Sequence, residues 1–306
     1  MKIGNKKDTI SEVIITLIDT TKRYHDGRWQ DKMGRNLKIA LGQIEIVEND
    51  YNGNIKKAEM MATDAASKGA EIVCFPEFFS TGIPPLPEPE NGRTITTMRV
   101  CAQKNKIDII AGTIVEMREE KSYNVAYYIN KDGEISGRHD KTHLFFQEKP
   151  YRTAGDTITI IDNGKAKIGI AICWELNFPE LIRRYALAGA EIVFCPTWVE
   201  DWRDGLDGVA EERRRISLTR AAENQFYFAD VIAAGYTDSN TETGRMRMAG
   251  HSTVASPGPM SQVVAKGEYS EELIIADIDL DLIRKKREFL PLLYNRRPEM
   301  YSELSK

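Results

Sequence analysis

Metal-binding and disulfide-forming residues are scarce in this chain: 306 residues hold four cysteines and four histidines. Cys74, Cys101, Cys173 and Cys195 are widely spaced and fit no zinc pattern, and a chain this long does not depend on disulfide staples. A reducing, cytoplasmic setting is therefore expected. No apolar run reaches the roughly 18 to 20 residues needed to cross a bilayer. The stretch Ile10 to Ile18 is broken by Ser11, Glu12 and Thr16, so neither a signal peptide nor a membrane partner is expected. Excess positive charge is missing too. The formal net charge is -4, and the runs Arg213-Arg-Arg215 and Arg284-Lys-Lys-Arg287 are short, which argues against a nucleic-acid partner and reads as solvated helix faces.

What is present is enough apolar sequence, 42%, for one large core. Residues 1–36 read as a helical extension and linker, and 37–306 as the main domain with a C-terminal tail. In the extension, Ile10, Val13, Ile14, Leu17 and Ile18 form an amphipathic stripe that packs either on its own domain or on another subunit. Beyond it, Leu37 to Ile46 reads as a strand, Asn54 to Lys68 as a helix and Ala70 to Phe75 as a strand buried on both faces. The prolines at 84, 85, 87 and 89 mark a loop. Ile107 to Val115 and Asn124 to Ile129 read as strands, with Lys131-Asp-Gly-Glu134 as a turn. An internal echo, Gly69-Ala-Glu-Ile-Val73 with Pro76 against Gly189-Ala-Glu-Ile-Val193 with Pro196, implies two like-built units and a pseudo-symmetric pair of sheets. Helix and strand signals alternate, which calls for helices layered on sheets.

Three segments carry chemistry. Ile170-Ala-Ile-Cys173-Trp-Glu-Leu-Asn-Phe-Pro-Glu180 puts a cysteine at the end of an apolar run, just before a turn into a helix. A thiol there attacks a carbonyl only as thiolate, so it needs a neighbouring base or cation. Glu77 ends a second apolar run, Glu71-Ile-Val-Cys-Phe-Pro-Glu77, and Lys141 lies in His139-Asp-Lys141-Thr-His-Leu-Phe145. In this order the three blocks resemble the nitrilase superfamily of carbon–nitrogen hydrolases, in its amidase or carbamoylase-like branch. The resemblance runs from about Leu37 to about Arg287 and includes Arg220-Ala-Ala-Glu-Asn224 and Gly250-His-Ser-Thr-Val254.

The resemblance implies a four-layer α-β-β-α sandwich and hydrolysis of a small amide or N-carbamoyl amine through a thioester on Cys173. Glu77 would be the base and Lys141 the ammonium facing the developing oxyanion, with no metal or cofactor required. Glu148 is carried over as a supporting carboxylate, and Trp174 as a pocket wall whose N–H aids the oxyanion. The other cysteines read as core packing, His143 and His251 as hydrogen-bonded structure, and Glu175 as structural. Relatives that take carboxylate-bearing substrates often have arginine three or four positions after the cysteine, where this chain has Leu176 and Asn177. Another arginine, such as Arg203, is the alternative for that pairing. The segment Thr197-Trp-Val-Glu-Asp-Trp-Arg203 is expected at the pocket rim, where Trp198 and Glu200 would bind an apolar or cationic group. A nitrile substrate and a non-catalytic scaffold remain alternatives. A homodimer or larger homo-oligomer is expected, with Phe289, Leu290, Leu292, Leu293 and Tyr294 as interface residues.

Overall fold

The computed structural model describes residues 34–201, 208–237 and 246–301. The stripe Ile10 to Ile18, together with Trp202 and Arg203, lies outside the described residues. The elements run β1 Asn36–Gln43, α1 Tyr51–Ser67, β2 Ile72–Cys74, β3 Pro87–Pro89, α2 Arg93–Asn105, β4 Asp108–Arg118, β5 Lys121–Ile129 and β6 Ile135–Asp140. There follow β7 Thr159–Asp162, β8 Lys167–Ile170, α3 Pro179–Leu187, β9 Ile192–Thr197, α4 Gly208–Asn224 and β10 Tyr227–Ile232. Then come β11 Tyr236–Thr237, β12 Met246–Arg247, β13 Thr253–Ala255, β14 Val263–Lys266, β15 Glu272–Asp279 and α5 Asp281–Phe289.

Two sheets carry the fold. One has the order β15-β1-β2-β4-β5-β6 with β3 beside β4, the other β14-β13-β10-β9-β8-β7. Each has the same internal grammar: two parallel pairings at its centre, β1/β2/β4 or β8/β9/β10, flanked by antiparallel ones. The echoed segments do equivalent work. Gly69 and Gly189 both sit at positive φ, 78° and 90°, reversing the chain after α1 and α3. Glu71 N–H then donates to the Lys38 carbonyl and Glu191 N–H to the Lys167 carbonyl, each at 2.8 Å, which starts β2 beside β1 and β9 beside β8.

The layering follows from where the apolar side chains go. Leu37, Ile39, Leu41, Ile110 and Tyr128 of the first sheet share one cluster with Ile168, Ile170, Phe194, Val231 and Val254 of the second, so the sheets face each other. On the outer side of the first sheet, Ile55, Ala58, Ala62 and Ala65 of α1 and Met98 and Ala102 of α2 join Val73, Ile109 and Tyr127. Leu181, Ile182 and Tyr185 of α3 and Ala221 of α4 cover Val193 and Phe228 of the second. The result is the four-layer α-β-β-α sandwich. From Arg35 onward the chain is one compact unit.

Local differences from the sequence reading have physical causes. α1 begins at Tyr51, not Asn54, because the Asp50 carboxylate caps it by accepting the Gly53 N–H at 3.0 Å. The proline-rich stretch is not all loop: Pro87–Pro89 pairs in parallel with Val115–Met117. Proline is tolerated there because β3 pairs only with β4. Arg213 is not on a solvated face. Val209, Arg213, Ser217 and Ala221 are among the buried positions of α4, and Arg213 forms a buried ion pair with Asp230 at 2.8 Å. Leu293 is partly buried against the cluster under α3 and α4, whereas Phe289 and Tyr294 are exposed.

Candidate active site

Glu77 and Cys173 each lie three residues past a strand end, after Cys74 of β2 and Ile170 of β8. At both places the backbone takes a left-handed turn: Phe78 has φ 55° and Cys173 itself φ 46°. Such conformations in non-glycine residues cost of order 1–3 kcal/mol and persist where the surroundings dictate them. Phe78 is held by its N–H donating to Thr113 Oγ1 at 3.0 Å. Gly112 makes room for this loop, since a Cβ there would meet the Pro76 carbonyl oxygen at 1.9 Å. Cys173 opens a short 3-10 segment, Cys173–Asn177, that leads into α3. Lys141 directly follows β6 and is fixed at its main chain, its N–H donating to Asn124 O and its carbonyl accepting from Gly155 N, both at 2.9 Å.

These ends bring the ionisable groups together. Lys141 Nζ donates to Glu77 Oε1 at 2.9 Å and to Glu148 Oε2 at 2.6 Å. Asn124 Nδ2 spends both protons on the same two carboxylates, Glu77 Oε1 at 2.8 Å and Glu148 Oε1 at 2.7 Å. Two carboxylates, one ammonium and one amide thus close a buried ring. Glu148 is braced further by the Phe145 N–H at 2.9 Å. Cys173 joins the ring through one residue: the Trp198 N–H donates to Glu77 Oε2 at 3.0 Å, and the Trp198 carbonyl accepts from Cys173 Sγ at 3.4 Å.

The electrostatics follow from burial and charge. Burial raises the Glu77 pKa above the usual carboxylate range and Glu148 adds to it, while Lys141 and Asn124 pull it back. Burial also pushes the Cys173 thiol well up, with Glu77 acting the same way and Lys141 and Arg213 opposing. Lys141 is held above its ordinary value despite burial, because Glu77, Cys173 and Glu148 all favour its charged form. Burial and charge thus favour a charged ammonium and a neutral thiol here, and draw the Glu77 carboxyl toward its protonated form. Groups of three or more residues suited to hold a metal ion are absent among the described residues.

The remaining expected residues fall as follows. Trp174 is in an aromatic wall with Phe145, ring centroids 5.2 Å apart, and Phe178, 6.1 Å. Trp198 meets the site through its main chain; the residue is only 6% exposed, packs in the outer cluster of the first sheet, and its indole N–H donates to Glu200 Oε1 at 3.1 Å. Glu200 is thereby turned toward that indole, and Asp201 pairs with Arg247 at 2.7 Å. His143 and His251 bond to Thr142 Oγ1 and the Gly267 carbonyl. Cys74, Cys101 and Cys195 are buried in β2, α2 and β9. Asn124 carries no motif that marks it in the sequence. The available signal was a lone polar residue in Asn124-Val-Ala-Tyr-Tyr-Ile129, on the same face as Ala126 and Tyr128, which point at the second sheet.

Sandwich and site together define a thiol-bearing enzyme of the α-β-β-α class. The chain belongs to the carbon–nitrogen hydrolase family, whose model matches residues 38–288, and so acts on carbon–nitrogen bonds other than peptide bonds. It is 32% identical over 289 residues to the chloroplastic omega-amidase of Arabidopsis thaliana, covering 87% of this chain and 73% of that protein. It is 30% identical over 290 residues to the N-carbamoylputrescine amidase of the same plant, covering 89% and 96%. Among solved structures it is similar to Saccharomyces cerevisiae Nit3, of branch 10 of the nitrilase superfamily. That match has a TM-score of 0.76, 27% identity, and covers 86% of this chain and 97% of the other.

Proposed function

We propose that the chain hydrolyses a small primary amide or N-carbamoyl amine to an acid and ammonia through a thioester on Cys173. The observation that carries this reading is the buried ring of Glu77, Lys141, Asn124 and Glu148 joined to the Cys173 sulfur through the Trp198 peptide unit. Glu77 takes the thiol proton as sulfur attacks the substrate carbonyl. The carbonyl π electrons move to oxygen, where Lys141 Nζ and the Trp174 N–H, in the first turn after the nucleophile, stabilise the oxyanion. The tetrahedral adduct collapses, the C–N bond breaks, and Glu77 hands its proton to the departing nitrogen. Water then attacks the thioester, Glu77 accepts its proton, and the acid leaves as sulfur regains a proton. Glu148 keeps Lys141 and Asn124 in register.

The departure at Asn177 supports a substrate without a carboxylate at that point. Its Nδ2 donates to the Trp174 carbonyl at 3.2 Å, so an amide stands where an arginine would reach a substrate anion. Glu200 remains the proposed contact for a cationic substrate tail, whereas Trp198 serves the site through its peptide unit and not its packed ring. The test is ammonia release from short amides, carbamoylated amines and nitriles. Release from amides or carbamoyl amines is expected. Release from nitriles alone would make the chain a nitrilase, and release from none would leave the scaffold reading.

Glu77→Gln is expected to lower kcat/KM by roughly 10²- to 10⁴-fold, the usual share of a general base. The base must be ionised and its pKa is raised, so wild-type kcat/KM falls with decreasing pH through a value above the ordinary glutamate range. The residual rate of Glu77→Gln loses that limb, and a pH profile of both proteins checks it.

No helix among the described residues is long and apolar enough to cross a membrane. The four free cysteines suit the reducing cytoplasm we propose. Phe289 at 65% and Tyr294 at 88% exposure suit a homo-oligomer built through the tail. Residues 1–36 are proposed as an appended segment to the catalytic domain of 37–306.

A further inference from the structure

Glu175 is completely buried, and none of its hydrogen bonds reaches the sulfur or the ammonium. What it holds are the peptide units beside them. Oε2 accepts the Ile172 N–H at 2.6 Å and faces His139 Nε2 at 3.0 Å. Oε1 accepts the Thr142 N–H at 2.6 Å and the Thr142 hydroxyl at 2.5 Å, with the His143 N–H at 3.4 Å. Ile172 immediately precedes Cys173, and Thr142 immediately follows Lys141. One carboxylate therefore spans the two sheets at the point where each delivers a reacting side chain.

We infer that Glu175 is a positioning residue: it sets the separation of the Lys141 ammonium from the Cys173 sulfur, and His139 fixes the orientation in which it does so. The inference rests on the roles proposed above for Lys141 and Cys173. Cys173 at φ 46° needs the strand end before it held: the Glu175 carboxylate holds the Ala171–Ile172 peptide through the Ile172 N–H, and the Glu175 N–H donates to the Ile172 carbonyl of the next peptide at 3.0 Å. Bonds to an ionised acceptor are stronger than neutral ones, and Glu175 stays ionised: burial pushes its pKa up, but His139, Thr142 and the Ile172 amide bring it down to about 2. His139 is fully buried and its Nδ1 has no hydrogen-bond partner among the described residues. Its Nε2 must carry a proton to meet the carboxylate, so its one polar task is to donate to Glu175.

The test is Glu175→Gln, which keeps the shape but points an NH2 group at one set of donors. Misplacement by a fraction of an ångström to an ångström is worth up to about 100-fold in rate, so kcat is expected to fall by about that factor. KM is expected to change by less than about threefold, because the ground-state contacts remain. The pH profile of Cys173 alkylation by iodoacetamide is expected to move to higher pH as the ammonium draws away. A wild-type kcat and alkylation profile, with only the melting temperature lowered, would overturn the inference. Should the variant not fold, Thr142→Val removes a single bond to Oε1 and is expected to cost about tenfold in kcat at constant KM; an unchanged kcat would equally overturn it. If wild-type protein released ammonia from no substrate, the proposed function would fail, while the alkylation profiles would still decide the positioning role.

Discussion

Cys173→Ala is expected to abolish ammonia release, by at least about 10⁴-fold, without unfolding the protein. Loss of a covalent nucleophile leaves only binding and oxyanion stabilisation, and these cannot replace the bond that sulfur makes. The fold has little stake in the thiol. Its hydrogen bond to the Trp198 carbonyl, at 3.4 Å, is a weak sulfur contact, while Glu175 holds the neighbouring peptide independently. The Cys173→Ala protein should therefore melt near the wild-type temperature, still bind substrate and fail to react with iodoacetamide at the site. Steady-state kinetics with a calorimetric melt checks both halves.

Lys141→Met is expected to damage both activity and stability. Removing one oxyanion donor typically costs about 10²- to 10³-fold in kcat, and here the same atom also restrains the base. The stability loss has a separate cause. Without the ammonium, Glu77 and Glu148 face each other across Asn124 in a buried site, and breaking a buried charge pair from one side typically costs about 3–5 kcal/mol. With Lys141 gone, the folded-state pKa of Glu77, already raised by burial, rises further, and the folded protein gains protons relative to the unfolded chain. The deficit is then smallest at low pH and grows as pH rises toward that raised value. Adding Glu148→Gln removes one of the repelling charges and should recover part of the stability but none of the rate. Urea unfolding at several pH values measures this directly.

The sequence was most informative where chemistry and chain reversal coincide. Phe-Pro-Glu77 and Ile-Cys173-Trp each follow an apolar run, and a nucleophile and a base both need to sit where a sheet ends; the structure has each three residues beyond its strand. The echo of Gly69 and Gly189 revealed two like-built units, because a left-handed glycine after a helix is a local requirement. Asn124 and Arg213 were less legible for the opposite reason. Their importance comes from partners far along the chain, Glu148 and Asp230, and a polar residue in a strand or a basic one in an arginine run looks ordinary until those partners are placed. Arg213 nevertheless had a signal in its spacing from Val209, Ser217 and Ala221 on one helical face. Trp198 draws attention for its ring, yet it meets the site through its peptide N–H and carbonyl, which no side-chain pattern encodes.

The central claim is that Cys173 carries the acyl group. Wild-type protein mixed with a turned-over amide, quenched in acid within the first turnovers and read by intact mass and peptide mapping, tests it most directly. The expected result is an added mass equal to the substrate's acyl group, located on the peptide that contains Cys173 and absent from Cys173→Ala. Ammonia release at the wild-type rate by Cys173→Ala, or an acyl group found on another residue, would contradict the account.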